Sequence, residues 1–105
     1  VRRSHEWIDR RSLALHEAVA AKLEADPTLI EVARTNLSRW LQLNPAAALV
    51  EWRDLLQVKS LPQVIALLRS TDEESTRLRQ SSPFAGVLTQ AERNAILRRY
   101  ESTGP

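Results

Sequence analysis

Cysteine is absent from this sequence, which excludes disulfides and thiolate metal sites and fits a reducing compartment. Methionine is absent as well. There are only two glycines and few runs of β-branched residues, so little here favours strands or tight hairpins. No apolar run approaches the roughly 18 residues needed to span a bilayer, and no charged head precedes an apolar leader segment. No sign of charge dominates. Residues 1–26 carry five basic and five acidic side chains, residues 27–60 four and three, and residues 61–105 six and five. The pI of about 9.7 comes from arginine outnumbering lysine, since the net charge is only +2. A nucleic-acid face needs clustered cations to displace condensed counterions, and no segment of the chain is electropositive.

What is present is helical. Of the 105 residues 43% are hydrophobic, supplied mainly by leucine and alanine, and a chain of this length buries roughly 65% of its unfolded surface in one core. Punctuation divides it into short helices. Ile8, Leu15, Val19 and Leu23 form one stripe of a first helix from Ser4 or Asp9 to Ala25. Asp26-Pro27 ends it and opens a second helix to Leu43, with Leu29, Ala33, Leu37, Trp40 and Leu41 inward. Ile30 and Val32 widen that stripe, which predicts a central helix. Asn44-Pro45 repeats the device for a third helix to Gln57, buried through Leu49, Trp52, Leu55 and Leu56. Ser60 with Gln63, Thr71 with Glu74, and Thr89 with Glu92 read as capping boxes for three more helices. Of these, the fourth is anchored by Leu61, Ile65 and Leu68, the fifth by Leu78, and the last by Ile96, Leu97 and Tyr100. The expected fold is all-α, a compact bundle of five or six short helices. It forms a single domain over residues 1–101, with a frayed tail at 102–105.

Chemistry-bearing constellations are sparse. Arg11 and His16 match the Arg-x4-His pattern of a family of helical ribonucleases. On a regular helix, however, their side chains point about 140° apart, so convergence needs a distorted helix or a second subunit. His5 and His16 share a helix face but lie about 16 Å apart along it, too far to hold one zinc ion. Neither a metal site nor a cofactor is expected. Asp72-Glu73-Glu74 suits a helix N-terminus, and those carboxylates disfavour a helix-turn-helix over residues 60–80. Arg2-Arg3 and Arg98-Arg99 are candidates for contact with phosphate or an acidic partner. Trp7 is either a bundle cap or an exposed interface anchor. The apolar loop around Phe84, Gly86, Val87 and Leu88 either folds inward or forms a knob facing a partner.

Two stretches carry a resemblance. Ile8 to His16 continues into Glu17-Ala-Val-Ala-Ala-Lys-Leu23. Leu78 to Leu88, containing Ser82-Pro-Phe-Ala-Gly-Val-Leu88, is followed by Glu92 and Ile96. Together they resemble a group of small bacterial helical proteins of unassigned chemistry, often encoded beside an abortive-infection-type nucleotidyltransferase. The resemblance implies a cytoplasmic, non-enzymatic, antitoxin-like protein that binds such a toxin. The contacts expected for that role are Phe84, Gly86, Val87, Leu88, Trp7, Arg98 and Arg99. The alternatives are a nucleic-acid-binding regulator and a ribonuclease using Arg11 and His16.

Overall fold

Small polar residues and prolines set the helix boundaries in the computed structural model, which describes the backbone of residues 5–102 and the side chains of residues 6–100. Arg2 and Arg3, and the tail beyond Ser102, lie outside the described residues, as does the side chain of His5. Six α-helices follow in order: α1 (His5–Ala25), α2 (Ile30–Leu43), α3 (Ala47–Val58), α4 (Leu61–Arg69), α5 (Glu73–Arg79) and α6 (Gln90–Ser102). No strand occurs among the described residues, so the fold is the expected all-α bundle.

The two outer capping boxes form as the spacing predicts. Gln63 N–H donates to Ser60 Oγ at 3.3 Å while Ser60 N–H donates to Gln63 Oε1 at 2.8 Å. Thr89 N–H donates to Glu92 Oε1 at 2.7 Å, and Glu92 N–H donates to Thr89 Oγ1 at 3.1 Å. The middle box shifts by one residue, because Asp72 rather than Thr71 caps α5 and accepts from Ser75 N–H at 2.7 Å. A carboxylate is the stronger acceptor for an unpaired helix N–H, and Ser70 Oγ–H holds it from the other side at 2.7 Å. Asn44 does not cap α3. It is the extended residue after α2, as the following proline favours, and Ala46 precedes α3 with no side-chain cap. Pro27 sits in a short 3-10 turn, Pro27–Leu29, capped by Asp26 Oδ1 through Thr28 N–H at 3.1 Å.

The central helix is α1, not α2. It packs against α4, α5 and α6, whereas α2 packs on α3 and the 27–29 turn. At about 100° per residue, Trp7 lies about 180° around α1 from His16. His16, Val19, Ala20 and Leu23 are buried on one side, and Trp7 is buried on the other against Tyr100 of α6, with the rings edge to face at 6.2 Å. Ile8 and Leu15, expected on a single buried stripe, fall on the seam between these faces. Ile8 is 43% exposed and Leu15 half-buried. The core continues through Ala33 and Leu37 of α2, Trp52 and Leu56 of α3, Val64, Ile65 and Leu68 of α4, and Leu78 of α5. Trp40 and Leu41 are only half-buried, Leu41 because it floors an open groove between α2 and α3.

Candidate functional site

The apolar loop folds inward. Phe84 and Val87 are buried, and Phe84 meets the Trp52 ring edge to face at 5.6 Å. Trp52 Nε1–H donates at 2.8 Å to the Leu78 carbonyl, which also accepts from Ser81 N–H at 3.1 Å at the end of α5. From α2, the buried Asn36 side-chain amide donates to Pro83 O at 2.9 Å and Ala85 O at 2.8 Å, and its oxygen accepts from Arg39 at 3.0 Å. Gly86 takes φ +93, a conformation side chains disfavour, and a Cβ there would meet only Val32 Cγ1 at 3.7 Å. The loop is therefore a lock between α2, α3 and α5. Phe84 and Val87 are not a knob, because their apolar surface is already covered by this chain. Only Ala85 and Gly86 are exposed there, with Leu88 half-buried.

Trp7 is likewise committed to the bundle. It is buried, it packs on Tyr100, and Arg11 lies over its ring at 5.1 Å. The Tyr100 hydroxyl donates to Arg10 O at 3.2 Å, and Lys22 Nζ meets Glu92 at 2.8 Å, so α6 is held to α1 by polar contacts at both ends. Arg98 and Arg99 are exposed on α6.

Arg11 and His16 are not brought together on one surface. Arg11 lines a groove with α5, and His16 lines the next one with the 82–88 loop. His16 is buried, its Nδ1–H donates to Ser12 O at 2.7 Å, and burial holds its pKa below the ordinary 6.5. The positive charge of Arg79 acts in the same direction, and the bond to Ser12 opposes it. The imidazole is thus neutral at pH 7, with Nε2 left as an acceptor. No group of His, Asp or Glu that could hold a metal ion is present among the described residues. No helix there is long and apolar enough to cross a membrane.

Two surfaces were not legible in the sequence. Between α2 and α3 runs a groove of about 440 Å³, floored by Leu37, Leu41 and Leu56 and walled by Arg34, Ser38, Gln42, Arg53 and Gln57. Outside that lining, at the C-terminal ends of the two helices, Leu43 is 82% exposed and Val58 80%. From sequence, the second helix ends at Leu43 and the third at Gln57, and neither Leu43 nor Val58 is assigned a face.

The second surface is a cavity of about 510 Å³ where α1, α5 and α6 meet, lined by Arg11, Arg79 and Arg93. Arg79 is buried. Its guanidinium donates to Ser70 O at 2.6 Å and Leu67 O at 3.3 Å, closing the C-terminus of α4. Comparison of the chain with protein-family models, curated proteins and solved structures returns no match.

Proposed function

We propose that this chain is a non-enzymatic, antitoxin-like interaction protein of the cytoplasm, and that it inhibits a nucleotidyltransferase-type toxin encoded beside it by docking through α2 and α3. The observation that carries the reading is the α2–α3 groove, with its apolar floor of Leu37, Leu41 and Leu56. Isolated exposed leucines are ordinary on protein surfaces, but a walled groove with an apolar floor is the shape that receives a helix. The walls of Arg34, Ser38, Gln42, Arg53 and Gln57 are polar, which favours a partner helix with an apolar face and polar flanks. The mechanism is steric: the docked bundle covers the toxin's cleft or holds it in an inactive arrangement. The loop of Phe84 to Leu88 supports this indirectly, by fixing α2 and α3 against the core.

The test is co-expression with the protein encoded next to this chain, followed by light scattering on the purified complex. A stable complex is expected. The double variant Ser38→Glu/Gln57→Glu, which puts charge on the exposed walls of the groove, should weaken it tenfold or more, about the effect of losing one binding hot spot, with the melting temperature unchanged. Absence of a complex, or undiminished binding by the double variant, overturns the proposal.

A further inference from the structure

We infer that the cavity between α1, α5 and α6 binds a phosphate group of a ribonucleotide, either free or within an RNA strand. Its lining includes three guanidinium groups, Arg11, Arg79 and Arg93, against one carboxylate, Asp9. Guanidinium forks match phosphate oxygens in pairs, and the surrounding Ser12, Thr76 and Gln80 add neutral hydrogen-bonding groups. Asp9 offers an acceptor for a hydroxyl next to the phosphate, as a ribose carries.

Arg34, Arg53, Arg69 and Arg77 each have a carboxylate within ion-pair distance: Glu31, Asp54, Glu24, and Glu51 with Glu74. Arg11, Arg79 and Arg93 have no such partner among the described residues. Arg10, Arg39 and Arg98 also lie outside ion pairs there, but this cavity gathers three such arginines in one place. Arg11 is held in place over the Trp7 ring. Arg79 is 95% buried (5% exposed), its terminal nitrogens are engaged by carbonyls and Thr76, and its Nε is buried without a hydrogen-bond partner. The carboxylates that act on it, Asp9, Asp72 and Glu17, do so from beyond ion-pair distance, so an anion in contact would still complete its environment.

The cavity also does not end at a wall. It shares Leu15 and Arg93 with the neighbouring groove lined by His16, Ser82 and Gln90, so a ligand longer than one phosphate has a path. The site uses Arg11 from the Arg-x4-His pattern, but Arg79 and Arg93 come from elsewhere in the chain, and no bond cleavage is part of the inference.

The experiment is a backbone-amide NMR titration at low salt with three probes: inorganic phosphate, adenosine 5′-monophosphate and an eight-nucleotide single-stranded RNA. Saturable shifts confined to α1, α5 and the start of α6 are expected with the nucleotide or the RNA. Arg93→Gln and Arg11→Gln should each weaken binding about tenfold, the loss expected for one charge-assisted contact. Lys59→Gln removes a positive charge elsewhere and should leave affinity unchanged. RNA binding that is tighter than nucleotide binding and falls steeply with salt assigns the phosphate to a strand. Nucleotide binding with no gain for RNA assigns it to a small phosphorylated ligand. The inference is overturned if no probe gives a saturable shift. It is also overturned if inorganic phosphate alone binds, or if Lys59→Gln weakens binding as much as Arg93→Gln. Unchanged melting temperatures for the two arginine variants keep loss of binding separate from loss of fold.

Discussion

Asn36 carries more of this fold than its place in a polar turn of α2 advertises. Its amide satisfies two loop carbonyls, Pro83 and Ala85, that are separated from it by 47 and 49 residues. Asn36→Ala strands both acceptors near the core, and the expected loss is about 2–3 kcal/mol in urea unfolding, with Thr35→Ala on the exposed side as the near-neutral comparison. His16 gives a second residue-scale expectation. Its folded-state pKa lies below 6.5, so the unfolded chain takes up its proton first as pH falls. The stability contributed by the neutral ring is therefore complete above about pH 6.5 and is lost as pH drops from there through the folded-state value. Melting temperatures between pH 7.5 and 5 should fall in the parent chain, and the fall should flatten in His16→Leu.

At the scale of the helices, capping chemistry was legible where both partners sit three residues apart, as in Ser60 with Gln63 and Thr89 with Glu92. It misled where two acceptors compete or where proline intervenes. Asp72 outbids Thr71 for the N-terminus of α5, and Pro45 extends Asn44 away from α3. The two sites give opposite expectations. Asp72→Ala should cost about 1 kcal/mol in thermal unfolding, whereas Asn44→Ala should change stability by less than about 0.5 kcal/mol. Helix type and most inward residues followed from spacing alone. The faces of α1 did not, because a helix buried on two opposite sides has no single stripe to find. Arg79 was equally hidden: its partners are the carbonyls of Leu67 and Ser70, and backbone acceptors leave no mark on a sequence.

Across the whole molecule, α6 is the least embedded helix, with Ile96 as its buried apolar residue. Its attachment leans on Glu92, whose carboxyl is held down to about 2 by Lys22 first and by the Thr89 N–H second. A lowered carboxyl pKa stabilises the fold above the unfolded value near 4.5, and that contribution disappears as pH falls from about 4.5 to about 2. Amide exchange should therefore show α6 opening ahead of α4 over that range, and Glu92→Gln should open α6 at neutral pH. Added salt should reproduce part of the effect, since the Lys22–Glu92 pair is open to solvent. The candidate surfaces belong to this scale too. One lies across the consecutive helices α2 and α3 and the other gathers α1, α5 and α6, so local patterns could name their residues but not the faces that meet.

The buried lock around Phe84 bears on how chains of this kind are to be compared. Ser82-Pro-Phe-Ala-Gly-Val-Leu88 is the most distinctive string in the sequence, yet its large apolar side chains serve the internal joint with Asn36 and Trp52. Divergence is constrained there by packing, while the rim of the α2–α3 groove can drift without unfolding the protein. Two chains that share the string would share this internal joint, and their specificities are to be sought in groove-wall residues such as Ser38 and Gln57, where kinship is hardest to see.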